Sequence, residues 1–204
     1  MIDAIVYSSL SGSCEEYAHR MSAALHVPFF TEQSHICPTG RKVVYIGWLL
    51  AGKVVGLNKA KERYNVVGVV SVGMGAPAAN AEEVCRKKNG LGTDIAVFPL
   101  QGRFDLKRLP LPYRLIMKVK IKDIAKRLNA KAAKTTLTPA EQACLTMATV
   151  GRGEPATWDG IQAAIDWVEA NSFHSKFPEP KVCSAPYHPN PMRSAGRECP
   201  AQHV

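Results

Sequence analysis

The sequence predicts an α/β protein built on a doubly wound parallel sheet of five strands, in the order 2-1-3-4-5, with helices on both faces. Three observations support this fold class. The apolar runs lack the alternation of a half-exposed strand, which indicates strands that are buried on both faces. Segments with helical spacing separate the runs, as crossover connections require. A chain of 204 residues, 46% of them hydrophobic, can fill such a core.

The elements follow one another along the first 171 residues. The first strand is predicted at 3–7, and the helix after it at 13–25 places Tyr17, Met21 and Leu25 on one face. The other predicted elements are strands at 27–30, 43–47, 66–72 and 95–98, helices at 53–63, 78–88 and 157–171, and a basic helical insert after the fifth strand at 100–150.

We expect one domain over residues 1–175 and a distinct tail over 176–204. The tail holds six of the 14 prolines and few large apolar side chains, which is typical of an extended or disordered segment. The longest apolar run, at 43–52, is far shorter than the roughly 20 residues of a membrane-spanning helix. These features favour a cytoplasmic protein, either soluble or peripheral on the inner face of the membrane.

The six cysteines are scattered and form no C-x-x-C pair. This pattern argues against a zinc site and against a dense disulfide framework. We therefore expect reduced thiols and no bound metal.

A turn rich in hydroxyls, "SSLSGSCEE" at 8–16, connects the first strand to the first helix. In doubly wound sheets, ligands bind beyond the carboxyl ends of the strands, beside strand one. Backbone N–H groups and serine hydroxyls at a helix N-terminus hold a phosphate without any lysine. Ser13 and Glu16 also match a capping box, which needs no ligand. The residues alone leave both interpretations open.

The segment "IVYSSLSGSCEEYA" at 5–18 resembles the first strand and phosphate loop of the flavodoxin family, whose pattern is [ST]-x-T-G-x-T. The resemblance implies an FMN cofactor. It also implies that the phosphate is bound by Ser9, Leu10, Ser11, Gly12, Ser13 and Cys14.

Cys14 departs from this pattern, since the family usually has threonine there. A thiol is a weaker donor than a hydroxyl, so one phosphate hydrogen bond is expected to be weakened and Cys14→Thr to tighten FMN binding. We also expect the helix N-terminus to lower the pKa of the thiol.

Two further segments, "YIGWLLAGK" at 45–53 and "VSVGMGAP" at 70–77, resemble the flavin-ring loops of flavodoxin-like oxidoreductases. Trp48 is a candidate for stacking on the ring, although it is equally well explained as a core aromatic. The ring contacts that the resemblance implies are Trp48, Leu49, Leu50, Ala51, Gly52, Gly73, Met74 and Gly75.

The positive charge is concentrated in the insert. Residues 103–134 contain eleven Lys/Arg against two acids, while the rest of the chain is neutral. An apolar stripe runs from Tyr113 to Leu128, with Ile116 and Val119 on a further face. A basic row flanks the stripe and is expected to contact substrate or an anionic membrane surface: Arg114, Lys118, Lys122 and Lys126. Two alternatives are a solvated helix packed on the domain and, less favoured without interleaved aromatics, a nucleic-acid surface.

An aromatic and basic insert of this kind, followed by "TWDGIQAAIDWVEA", is similar to that of the flavodoxin-fold menaquinone-dependent protoporphyrinogen oxidases. The resemblance implies an FMN that accepts hydride equivalents from a porphyrinogen or other reduced donor and passes electrons to a membrane quinone. A flavodoxin-type electron carrier and a flavin-free interaction module remain alternatives. No side chain can be named as the catalytic acid or base.

Overall fold

The computed structural model describes residues 2–34, 36–103, 105–153 and 158–171. It has an α/β fold with a parallel sheet, as the sequence predicts, and the tail predicted at 176–204 lies outside the described residues. The elements are β1 (Ala4–Ser8), α1 (Ser13–Leu25), β2 (Phe29–Thr31), β3 (Lys42–Leu50), β4 (Lys53–Val54), α2 (Leu57–Arg63), β5 (Asn65–Gly73), α3 (Ala81–Asn89), β6 (Ala96–Gln101), α4 (Leu111–Ala132), α5 (Pro139–Val150) and α6 (Gln162–Ala170).

The strand order is β2-β1-β3-β5-β6, and β4 pairs with β3 alone. The five strands of the main path are parallel, whereas β4 is antiparallel to β3. The predicted order 2-1-3-4-5 is therefore corrected to 2-1-3-5-6. The difference arises because the helix predicted at 53–63 begins only at Leu57 and its first two residues form β4.

Strands β1, β3, β5 and β6 bury side chains on both faces of the sheet, which explains their continuous apolar runs. On one face, Ile5 and Ile46 pack under α1 and α6. On the other face, Val6 and Tyr45 pack under α2 and α3. Period-two alternation along a strand sends neighbouring side chains to opposite sides. Helices therefore cover the sheet from both sides.

The insert after β6 is a pair of helices, α4 and α5. Its two ends meet, because the Leu106 N–H donates to the Gly151 carbonyl at 3.0 Å and Asp105 forms a β-bridge with Arg152. The second helix starts at a capping box in which Thr138 and Glu141 exchange hydrogen bonds. Within the described ranges, no helix combines the length and the apolar character needed to cross a bilayer.

Candidate functional site

Four loops meet at one edge of the sheet, where β1, β3, β5 and β6 end. These strands are parallel and hydrogen-bonded in the order β1-β3-β5-β6, so their carboxyl ends lie side by side. The three segments singled out in the sequence, around Gly12, Gly52 and Gly75, follow the first three of these strands. This edge is where open α/β sheets bind ligands.

The turn after β1 leads directly into α1, with Gly12 as the N-cap residue. Gly12 has a φ of 91°, a left-handed conformation that favours glycine, and its N–H donates to Ser9 Oγ at 3.1 Å. A Cβ placed on Gly12 would meet no atom within 4 Å, so the turn faces open space. Helix geometry leaves the first-turn N–H groups of α1 without intrahelical acceptors. The turn therefore presents donors to an anion.

The capping box that Ser13 and Glu16 match in the sequence is not formed. Ser13 Oγ accepts the Arg103 N–H at 2.9 Å and donates to the Arg103 carbonyl at 3.3 Å, instead of bonding within α1. Ser11 Oγ donates to the same carbonyl at 3.4 Å, and Glu16 pairs with Arg20. The two serines thus tie the turn to the segment after β6.

Cys14 does not present its thiol to the turn. Its side chain is buried in the core beneath α1, beside Tyr17. Burial raises the pKa of the Cys14 thiol well above its ordinary value of 9.0, because the thiolate loses hydration; a backbone hydrogen bond acts weakly in the other direction. The prediction of a lowered pKa is therefore wrong. The thiol is therefore not available to an anion at the turn.

Trp48, near the end of β3, is half-buried between two environments. It packs against the core that α1 and α6 cover, and it contacts the Tyr113 ring edge-on, with ring centroids 5.8 Å apart and ring planes at 88°. Part of the indole is therefore packed against the core. The remainder lies next to the insert, at the edge where the four loops meet.

The β3–β4 hairpin turns at Ala51 and Gly52, which have φ values of 51° and 83°. Both residues are left-handed, as in a two-residue type I′ turn. The strands on either side pair Leu49 with Val54 and Leu50 with Lys53. The segment expected to contact a flavin ring is thus a tight hairpin, with Leu50 and Ala51 exposed.

Asn89, at the end of α3, holds this hairpin, a role that the sequence around it does not predict. Its Oδ1 accepts the Val54 N–H at 2.8 Å, and its Nδ2 donates to the Gly52 carbonyl at 3.1 Å and to the Cys85 carbonyl at 2.8 Å. An asparagine at a helix end, just before Gly90, is typical of an ordinary helix C-terminus. Nothing in the local pattern signals a contact 37 residues back along the chain.

The third loop begins at Gly73, whose carbonyl accepts the Gly102 N–H at 2.7 Å. Gly102 was also not identified. A Cβ there would lie 2.7 Å from Val72 Cγ1 and 3.3 Å from Ser13 Cβ, so β5, β6 and the first turn approach closely only because this residue is glycine. Gly75, by contrast, is exposed and has nothing within 4 Å of an added Cβ.

The insert packs against two of these loops. Leu10 from the first turn and Met74 from the third loop pack into the apolar cluster of the insert, whose buried members include Leu109 and Ile121. Two residues expected to bind a cofactor thus anchor the insert. Tyr113 extends this contact to Trp48.

The four members of the predicted basic row do not share one role. Arg114 is half-buried, and its guanidinium donates to the carbonyls of Lys107 at 2.6 Å and Leu109 at 3.0 Å. Its donors thus hold the turn before α4. Lys118, Lys122 and Lys126 are exposed.

One groove among the described residues lies apart from the predicted cofactor residues. An open groove of about 320 Å³ runs between α4 and α5, lined by Ile124, Leu128 and Cys144 with Arg127 and Glu141, and it includes none of the predicted cofactor residues. No cluster of three or more His, Cys, Asp or Glu side chains suited to a metal ion occurs in the described part of the chain.

Comparison of the chain with protein-family models, with curated proteins and with solved structures gave no match.

Proposed function

We propose that the chain is an FMN-binding, flavodoxin-like oxidoreductase. The observation that carries the proposal is the turn from Ser9 to Cys14. It lies at the carboxyl edge of the parallel sheet, faces open space, and leads into a helix whose first N–H groups lack intrahelical partners. Two glycine-bearing loops, around Gly52 and Gly75, end at the same edge.

The turn would hold the FMN phosphate mainly through backbone N–H groups at the start of α1. The Ser9 hydroxyl accepts the Gly12 N–H and keeps its proton for a donation outward. Ser11 is also half-exposed, and its 3.4 Å bond to the Arg103 carbonyl is long enough to exchange for a phosphate oxygen. Ser13 and Cys14 are buried, so they support the turn from below.

The flavin ring would lie against Trp48 and the hairpin turn at Ala51–Gly52. FMN, when bound, supplies two-electron redox chemistry, and the protein contributes binding, orientation and exclusion of water. Asn89 fixes the hairpin from behind. Tyr113 touches Trp48, so the insert would limit the access of water and substrate to the ring.

As electron donor we propose a porphyrinogen or another reduced small molecule. As electron acceptor we propose a quinone, as in the oxidase branch that the insert resembles. The positive charge of the insert suits a donor that carries carboxylates, such as propionates. Such a protein would be cytoplasmic or peripheral on the inner membrane face. It would have no role with nucleic acid.

Two other functions remain candidates. A flavodoxin-type electron carrier is less favoured, because carriers that dock on positively charged partners are acidic, whereas this chain has a net charge of +9. A flavin-free interaction module is favoured by one observation, namely that the Ser11 and Ser13 hydroxyls already bond to the Arg103 peptide.

The proposal is tested by adding FMN to the purified protein, removing free flavin on a desalting column and recording the visible spectrum. We expect a yellow protein with quenched flavin fluorescence. A colourless protein that leaves FMN fluorescence unchanged would refute both flavin functions and favour the interaction module.

If flavin is retained, its reoxidation by a quinone separates the oxidase from the carrier. In the full-length protein we expect a menaquinone analogue to reoxidise the reduced flavin rapidly. An equal rate in a variant that lacks residues 107–150 would contradict a role for the insert in the reaction.

A further inference from the structure

The outward face of α4 carries four large apolar side chains that lie outside the apolar clusters of the described residues. Met117, Ile121 and Ile124 lie on the opposite face and pack into the insert cluster. The outward side chains are highly exposed: Leu111 69%, Leu115 61%, Ile116 51% and Val119 69%. Their spacing of i, i+4, i+5 and i+8 aligns them along one side of the helix. A patch of this kind indicates a binding surface.

Exposed lysines border this apolar face. Helical geometry puts Lys118 and Lys122 along one side of the face and Lys120 along the other. The helix carries seven Lys/Arg and a single acid, Asp123, which is paired with Arg127. The partner that complements this face is therefore apolar at its centre and negatively charged around it.

We infer that α4 docks on the surface of a lipid bilayer that contains anionic headgroups, with Leu111, Leu115, Ile116 and Val119 inserted among the acyl chains. An amphipathic helix of this kind lies in the interface with its apolar side chains buried and its lysines at headgroup level. Each lysine near an anionic surface strengthens binding about fivefold. The docking does not depend on flavin binding.

Other occupants of the face fit less well. A second copy of the chain would bring two basic helices together, which like charges oppose. The 172–204 segment has four Lys/Arg and two acids, so its charge does not complement the face. Nucleic acid matches the lysines, but it offers no apolar surface for the four large side chains.

The inference is tested by sedimentation of the full-length protein with phosphatidylcholine vesicles, with and without phosphatidylglycerol. We expect binding only to the anionic vesicles, and weaker binding as salt shortens the screening length. The double variant Leu115→Gln/Val119→Gln should bind about tenfold or more weakly, because it removes the inserted apolar surface. Lys118→Gln/Lys122→Gln should lose about fivefold for each lysine.

Matched control variants lie on α2 and α3, outside the insert. Val84→Gln replaces an exposed apolar residue of α3, and Lys59→Gln/Lys87→Gln removes two exposed lysines from α2 and α3. Both should bind vesicles like the wild type. All these positions are exposed and glutamine is a good helix former, so unchanged far-UV circular dichroism and urea unfolding are expected throughout.

Three results would overturn the inference. The first is no binding of the full-length chain to anionic vesicles, as expected if the 172–204 segment or a second copy covers the face. The second is equal binding by Leu115→Gln/Val119→Gln and the wild type. The third is a duplex oligonucleotide that binds more tightly than the vesicles and is unaffected by that double variant.

Discussion

At the scale of single residues, the turn after β1 is held by contacts with distant parts of the chain. Ser13 bonds to both polar groups of the Arg103 peptide, 90 residues away, and the Cys14 side chain fills the core under α1. The glycine and serine pattern predicted the position of this turn between the first strand and the first helix. It did not predict which hydroxyls face outward, because that depends on where β6 ends.

The buried Cys14 thiol should make stability fall at alkaline pH. Its pKa is raised on folding, so above about pH 9 the unfolded chain loses a proton that the folded protein retains. The stabilisation is complete below that pH and is lost as the pH rises toward the folded pKa. Urea unfolding between pH 7 and about pH 10.5 measures how steeply the free energy of unfolding falls with pH. This fall should be smaller in Cys14→Ser than in the wild type, by up to about 1.4 kcal/mol per pH unit.

Equal slopes in the wild type and in Cys14→Ser would mean that the thiol is accessible to water in the folded protein.

Burial also changes the expectation for Cys14→Thr. The new hydroxyl would enter the core, so we expect a loss of stability and no gain in FMN affinity.

Two glycines at the same edge of the sheet should respond differently to alanine. Gly102→Ala places a Cβ 2.7 Å from Val72 Cγ1, so we expect the free energy of unfolding to fall by about 1–3 kcal/mol. Gly75→Ala has open space and should be neutral or stabilising by up to about 1 kcal/mol. Urea unfolding of the pair measures both changes. No loss of stability in Gly102→Ala would show that β5, β6 and the first turn are less closely packed than the 2.7 Å distance indicates.

At the scale of elements, the β3–β4 hairpin and the outward face of α4 could not be predicted from the sequence. The apolar run at 43–47 predicted a buried strand, but Ala51 is an unusual residue for a left-handed turn, so the hairpin after this strand was not predicted. The inward face of α4 was predicted from its periodicity. Leu111 and Leu115 were not singled out as exposed, since periodicity alone does not reveal which apolar face a neighbouring helix covers.

Asn89 links two elements, and its loss should loosen the hairpin. In Asn89→Ala the Val54 N–H and the Gly52 carbonyl lose their partner, so we expect a loss of about 1–3 kcal/mol and faster amide exchange at Val54. Asn129→Ala, at an exposed position of α4, is the matched control and should change stability little. Unchanged exchange at Val54 in Asn89→Ala would refute this positioning role.

At the scale of the whole molecule, the sheet and its helices followed from the buried strands and the crossover spacing. Helix α1 was predicted at its observed bounds, because its apolar spacing is regular and a turn rich in serine and glycine precedes it. The packing of the insert against the loops at the sheet edge was not predicted. It depends on Leu10 and Met74, which pack against a cluster whose buried residues lie at Leu109 and beyond.

The central claim is that the turn at Ser9–Cys14 binds the phosphate of FMN, and comparing FMN with riboflavin tests it most directly. The two flavins share the ring system, but only FMN carries the phosphate. Fluorescence titration should show FMN binding at least about 100-fold more tightly than riboflavin, corresponding to two or more charge-assisted hydrogen bonds. Ser11→Asp should abolish most of that difference by repelling the phosphate, and it should leave riboflavin binding unchanged. Equal affinities for FMN and riboflavin, or an unchanged preference for FMN in Ser11→Asp, would contradict the account.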